Sequence, residues 1–379
     1  CNMAIAGGVN VYSHPMALVN LSKLKLLSND EKTRSFCEGG LGFVPGEAVG
    51  AIILKPLNAA KKDGDYIYAV IKGSAAGHIG RTNAYFSQNP IRQADIIEQA
   101  IKDANIPKES ISYIETATTG TEINDSIEIE SLNKVFQNIG IQEHSVAIGS
   151  VKPNVGHAEA ASGIDQVIKV IMQLKHKKYA PTKLFGTLNK KMRLEHSALY
   201  VVDQVEEWKK KQVSDKVYPR RAAINSFGAG GYMAHIVLEE AELQVQERDE
   251  HEGEVVYVPV SSETKRGLIR NVKNLAEYME NNPTASLNTV AYNLQMNRQD
   301  YKYRVVFISD NRDKLSQNMK QFIKGIYNQL EVLTNLEAVG EHKFINEELR
   351  NITAYKWVTG KHINWSEEQR KYGKIPLPG

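Results

Sequence analysis

The chain has 379 residues, enough to bury a sizeable core and to form two domains or one large one. Its hydrophobic content of 42% and charged content of 24% are ordinary for a globular protein, and a formal charge of +3 is too small to suggest nucleic acid or a membrane surface as partner. The two cysteines, Cys1 and Cys37, suggest neither a disulfide framework nor a metal cluster, no apolar run approaches a membrane span, and no signal-peptide pattern opens the chain. The expected location is cytoplasmic.

The first ten residues read as an apolar strand ending near Gly7-Gly8, and 43–55 as a further strand-forming stretch. From residue 66 strands and helices alternate. A strand is expected over Tyr66–Lys72, followed by a helix marked by Ala94, Ile97, Ala100, Ile101 and Ala104 and ended by Asn105-Ile106-Pro107. Ile111–Thr116 is the next strand. Ile127, Ile129, Leu132, Val135, Phe136 and Ile139 outline a helix beginning near Asp125, which is placed to cap it. Val146–Val151 is again a strand, and the positions from Ala160 to Leu174, Ile168 among them, mark a longer helix with a mostly buried face. Two strands between Arg220 and Glu240 flank a glycine-rich loop. This alternation argues for a layered α/β fold.

Residues 241–254 are charged and aperiodic and read as a linker. A smaller α/β unit is expected over 255–355. It would hold strands at Val255–Val260 and Arg304–Ser309 and helices around Leu268–Met279, Val290–Leu294 and Leu315–Ile323. The last stretch, 356–379, contains Trp357, Trp365 and Ile375-Pro376-Leu377-Pro378-Gly379. No internal repeat is evident.

Five segments carry chemistry, in order: Cys1–Asn10; Phe43–Lys55; Glu115-Thr116-Ala117-Thr118-Thr119-Gly120-Thr121; Gly149-Ser150-Val151-Lys152-Pro153-Asn154-Val155-Gly156-His157; and Asn225-Ser226-Phe227-Gly228-Ala229-Gly230-Gly231. Together they resemble the motifs of the ketosynthase (β-ketoacyl synthase) domains of polyketide and fatty-acid synthases. The Gly80–Tyr85 run and the Gly-Ala-Gly-Gly loop lean toward modular synthases whose acyltransferases act in trans. The resemblance implies a thiolase-like α-β-α-β-α sandwich over 1–240, present in its C-terminal part. It also implies a flanking α/β subdomain and a tail from 356 that packs back across the ketosynthase. Because the chain begins on what reads as a central strand, it is expected to be the C-terminal part of a longer polypeptide. The nucleophilic cysteine would then lie upstream of residue 1, and Cys1 would be a small buried residue.

The same resemblance makes Ala117 the most informative position. It stands where the family carries a catalytic histidine. Claisen-type condensation needs a thiolate to take the acyl chain and donors for the thioester oxyanion. It also needs donors for the enolate left when a malonyl unit loses carbon dioxide. A methyl group can do none of this last task, and loss of one such donor typically costs ~10²–10³ in rate. In an unrelated fold Ala117 would be an ordinary strand-end residue.

Lys152 and His157 match the retained catalytic lysine and second histidine, and a histidine after Val-Gly is otherwise most simply a structural residue. Phe227, Gly228, Ala229 and Gly230 match the oxyanion and substrate loop, whose glycines allow positive φ and close backbone approach, with the Ala229 amide as one oxyanion donor. Departures from the family pattern are Thr118, Glu122, Asn124 and Ser126 around the lost histidine and Tyr232-Met233 after the loop. Asp125 and Glu128 read as structural. His78 either lines the acyl pocket or is structural. The basic run Lys209-Lys210-Lys211 with Lys216, Arg220 and Arg221 is a solvated face or a carrier-docking surface.

The resemblance implies a non-elongating ketosynthase that passes an acyl group between acyl carrier proteins, binding no cofactor itself and meeting the phosphopantetheine that the carrier bears. Self-association as a homodimer, with lateral contacts through the flanking subdomain, is implied too. The rival reading is a catalytically silent domain that organises modules, and a third is an elongating enzyme with a rearranged histidine.

Overall fold

The computed structural model describes residues 1–81, 86–136, 142–241, 255–283, 285–326, 331–336, 353–363, 365 and 377–378. These residues form two compact units, one of 1–57 and 67–243 and one of 58–66 and 244–379.

The first unit opens with β1 (Ala4–Asn10), α1 (Met16–Lys23) and β2 (Ala48–Leu54), and β1 pairs antiparallel with β2. The chain leaves through α2 (Leu57–Lys62), most of which groups with the second unit. It returns in β3 (Ala69–His78), α3 (Pro90–Ala104), β4 (Tyr113–Glu115), α4 (Glu122–Phe136) and β5 (Val146–Gly149). A short helical turn, α5 (Lys152–Val155), precedes α6 (Ser162–His176). Two small hairpin-like pairs follow, β6 (Lys178–Tyr179) with β8 (Glu206–Glu207) and β9 (Gln212–Val213) with β10 (Lys216–Val217). With β7 (Leu199–Val201), β11 (Arg221–Phe227) and β12 (Tyr232–Glu240) the main sheet is complete, in the order β3-β12-β11-β4-β5-β7.

The central strands β4, β5 and β11 are buried along most of their length because both faces of the sheet are covered. On β4, Ile114 joins the core with Ile97, Ile129 and Leu132 of α3 and α4, while its neighbour Tyr113 joins Val167, Val170 and Trp208 on the other side. Ala222 and Ala223 of β11 divide the same way. The helix α6 lies between the two sheets, touching β1 and β2 on one side and β11 on the other. Only part of it is buried as expected: Ile164, Val167 and Val170 are, but Ile168 is exposed.

Four expectations need correction. The strand predicted over Tyr66–Lys72 starts at Ala69 and runs on to end at His78. Its second half, Gly73–Gly77, is a run of small residues with little strand propensity. Tertiary packing explains them: a Cβ on Gly73 would lie 2.3 Å from the Ala104 nitrogen of α3 and 2.5 Å from the Ala100 carbonyl oxygen.

Helix α4 starts at Glu122, not at Asp125, and Asp125 caps nothing in its own helix. Its carboxylate accepts instead from the amides of Thr119 and Phe36. Ile139, expected on that helix, lies outside the described residues. Cys1 is exposed rather than buried, while Cys37 is buried, and both are free thiols. The basic run is divided: Lys209, Lys210 and Lys216 are exposed, as expected of a solvated face, whereas Arg220 pairs with Glu240 and the buried Arg221 with Glu239. Lys211 donates to the carbonyls of Ile111 and Ser145, and burial lowers its pKa to about 8.

The second unit is built on an antiparallel sheet, β13 (Val256–Ser262), β14 (Tyr303–Ser309) and β15 (Val332–Thr334), with β14 in the middle. Helices α7 (Lys265–Asn281), α8 (Leu287–Met296) and α9 (Arg312–Ile323) begin at Thr264, Ser286 and Asn311. Each of those side chains accepts a bond from an amide of the first turn. Val305 and Phe307 of β14 pack with these helices. Val306 between them faces a separate cluster with Leu333, Trp357 and Trp365, in which Trp357 belongs to a final helix, α10 (Thr353–Val358).

Neither β15 nor α10 is legible in the sequence. Of the tail expected to return across the ketosynthase, the described residues Trp357, Trp365 and Leu377 contact this second unit, Leu377 through its carbonyl to Arg298. The linker positions 242–254 lie outside the described residues.

Candidate active site

One cavity of about 320 Å³ in the first unit is lined by Ala117, Lys152, His157, Phe227, Gly228 and Ala229. These residues come from three separate strand ends of the main sheet. Ala117 follows β4, Lys152 and His157 follow β5, and the glycine-rich loop follows β11; β4 runs parallel to both β5 and β11, so all three segments leave the sheet at the same end. A crevice at the carboxyl ends of parallel strands is where such sheets place ligands. Gly230, the other residue predicted for the site, does not line the cavity but shapes the turn. It and Gly231 have φ of 81° and 87°, and Gly228 is bonded through its amide to the Tyr232 carbonyl at 2.8 Å.

The Ala117 peptide is held from both sides. Its N–H donates to Glu128 Oε1 at 2.8 Å and its carbonyl accepts from Lys152 Nζ at 2.8 Å. Glu128 Oε1 also accepts from Asn225 Nδ2 at 2.8 Å, and Asn225 Oδ1 meets His235 Nδ1 at 2.6 Å. Gln166, on the buried face of α6, donates to the carbonyls of Thr116 and Asn225 and so ties β4 to β11. Behind this layer Glu115 accepts from the Val151 amide at 2.7 Å and from Lys169 Nζ at 2.7 Å, fixing the turn that delivers Lys152.

Burial sets the charges. Lys152 is 3% exposed, and burial lowers its pKa, against the opposing pull of Glu128, Glu115 and Asp125. Burial likewise raises Glu128 to about 7 and Asp125 to about 6, although both accept bonds from backbone amides. His157 is pushed down to about 3, first by burial and then by the nearby Lys152 charge, so its ring is neutral at physiological pH. Its Nδ1 accepts from the Glu159 amide at 3.0 Å, which places the ring proton on Nε2.

The backbone of His157 is pinned to 44–46, donating to the Val44 carbonyl at 2.8 Å and accepting from the Gly46 amide at 3.0 Å. That approach needs Gly156, which sits at φ 83° and where a Cβ would crowd the Val44 oxygen at 3.1 Å. The Phe43 ring meets the His157 ring edge-on at 4.6 Å.

His78 lies outside the cavity lining. Its Nδ1 accepts from the Gly80 amide, and its Nε2 bonds the Gly230 carbonyl at 2.8 Å, so it braces the glycine-rich loop. Of the Gly80–Tyr85 run, residues 82–85 lie outside the described residues. Sequence reading missed Asn225's link to His235, and Gln166, Glu115 and Lys169. Gln166 had one signal, a polar residue on the apolar stripe of an amphipathic helix.

The arrangement offers a neutral imidazole N–H, a buried ammonium and a loop amide around one cavity. The Ala117 methyl lies on the same cavity wall. Among the described residues no helix is long and apolar enough to cross a membrane.

Comparison with known proteins places the chain in a family. Residues 1–60 match the beta-ketoacyl synthase N-terminal domain, 68–185 the beta-ketoacyl synthase C-terminal domain, and 189–308 the ketoacyl-synthetase C-terminal extension. The chain is 36% identical to polyketide synthase PksL of Bacillus subtilis (strain 168), over all of its own length but only 9% of that protein.

Among solved structures it is similar to the ketosynthase from module 6 of the bacillaene synthase of Bacillus subtilis 168. The TM-score is 0.83 at 30% identity, covering all of this chain and 68% of that one. The oxazolomycin ketosynthase domain OzmH KS7 of Streptomyces albus JA3453 gives a TM-score of 0.85 at 31% identity, covering all of this chain and 64% of that one. The fold is thus the thiolase-like α/β fold, and the chain belongs to the β-ketoacyl synthase family as a ketosynthase of the modular polyketide synthase type.

Proposed function

We propose that this ketosynthase is of the non-elongating kind, receiving an acyl group from one acyl carrier protein and passing it to another without decarboxylative condensation. The observation that carries the reading is Ala117 on the wall of a cavity that keeps Lys152, His157 and the Ala229 loop. Transacylation uses what is retained. A cysteine thiolate, contributed by the segment that precedes residue 1 in the family, attacks the carbonyl of the acyl-phosphopantetheine thioester. The Ala229 amide shares the oxyanion, and the carrier thiolate leaves; the second carrier's thiolate reverses the step.

His157, neutral with its proton on Nε2, supplies one hydrogen-bond donor to the reacting sulfur or oxygen. Condensation asks for a second ring donor at the malonyl carbonyl, and a methyl group cannot give one. Dimerisation is part of the same proposal, as for other ketosynthase domains.

The test uses the natural polypeptide that carries this chain. Incubated with an acyl carrier thioester and malonyl carrier protein, it should gain the acyl mass on intact mass spectrometry and release no extended product. Robust elongation would overturn the reading. Absence of any acyl adduct would favour the silent, module-organising role instead.

A further inference from the structure

The cavity holds a polar feature that acyl transfer at the thioester does not use. Gln88 and Gln93 both line it. Gln93, in the first turn of α3, is 1% exposed, and its Nε2 donates to Gln88 Oε1 at 2.9 Å. Its own Oε1 is buried without a hydrogen-bond partner among the described residues. A buried acceptor in that state is destabilising unless a ligand or a water answers it. Gln88, which accepts through Oε1, keeps its amide NH2 to donate. The pair thus offers one acceptor and one donor in a cavity that Leu21, Leu26, Phe43, Phe86 and Phe227 also line, beside the polar groups already described.

An alkyl chain satisfies those apolar walls but leaves Gln93 Oε1 unanswered. A hydroxyl group answers both amides with one oxygen, donating to Gln93 and accepting from Gln88. We propose that Gln93 and Gln88 form a hydroxyl-recognition site, and that the acyl group this cavity holds is a hydroxyacyl chain. The inference rests on the acyl-transfer reading and adds the substrate class to it.

The two can be tested separately with non-transferable pantetheine amides, because binding needs no nucleophile. Titration calorimetry on the natural polypeptide would compare 3-hydroxybutyryl-pantetheine amide with its butyryl counterpart. The hydroxy compound should bind about tenfold more tightly, the ratio set by one buried hydrogen bond. Gln93→Met should abolish the preference by weakening the hydroxy compound alone. Should that variant fold poorly, Gln88→Met, at a half-buried position, should remove the preference in the same way. Equal binding by the wild type, or a preference that survives both substitutions, would overturn the assignment and leave the acyl-transfer reading standing. Binding of neither amide would remove both.

Discussion

Lys152 and Ala117 are joined by a 2.8 Å bond from ammonium to backbone carbonyl, and the same residue's N–H is held by Glu128. The backbone at position 117 is therefore clamped on both sides, while its side chain is a bare methyl. On the non-elongating reading proposed above, a ring is what the site lacks, and the backbone that would aim it is held in place.

The first prediction follows directly. Ala117→His should install a second ring donor on a backbone already fixed, and decarboxylative condensation should rise by ~10²–10³, the usual worth of one such donor. The readout is extended product formed with malonyl carrier protein, resolved by mass spectrometry. No gain in a folded variant would show that more than the ring has been lost, with Tyr232 and Asn124 next to be changed.

Lys152 is a buried ammonium that faces Glu128, Glu115 and Asp125, and Lys169 also pairs with Glu115 at 2.7 Å. Lys152→Met keeps the volume of the stem and removes the charge. It should destabilise the fold by about 3–5 kcal/mol, because buried carboxylates are left uncompensated. Denaturant unfolding measures this, and a loss under about 1 kcal/mol would mean that the carboxylates are already neutral in the wild type.

Stability should respond to pH through Glu128. Its pKa is raised to about 7 in the folded state by burial, above the ordinary carboxyl value it regains on unfolding. Between those values the folded state binds the extra proton, so this group's contribution is fully present at low pH and is lost as pH rises through about 7. His157, lowered to about 3, acts in the opposite sense: its folded state binds fewer protons, and stability lost in acid is recovered as pH rises toward 6.5. Comparing wild type with Glu128→Gln isolates the first effect. The wild type should lose stability relative to the amide variant between pH 5 and pH 8, and parallel melting curves across that range would refute it.

Gly73→Ala probes the packing that defines the β3 strand. The added methyl would meet backbone atoms of Ala100 and Ala104 at 2.5 Å or less, and these cannot turn aside as a flexible side chain would. Destabilisation of about 1–3 kcal/mol is expected, the usual range for overpacking. A neutral result in thermal unfolding would show that α3 shifts away freely.

Much of the molecule is legible along the chain. The apolar runs of β4, β5 and β11 and the helical spacing of α3 and α6 depend on local periodicity. So do the motifs that place Ala117, Lys152, His157 and the glycine-rich loop at strand ends, and a linear reading detects them. The burial of Cys1, the cap at Asp125 and the strand at Gly73–Gly77 did not follow that pattern. Cys1 lies exposed before β1, the Asp125 carboxylate reaches across to the Phe36 and Thr119 amides, and the small residues of β3 exist to admit a helix.

The sequence by itself determined the family and the absence of a ring at 117, since a methyl cannot act as a histidine in any fold. Only the tertiary structure decided the protonation of His157, the shared grip of Glu128 and Lys152 on the Ala117 peptide, and the unanswered oxygen of Gln93. Each of these depends on burial, and the grip on Ala117 on a partner 35 residues away in the chain; desolvation is a property of the packed interior that no local pattern encodes.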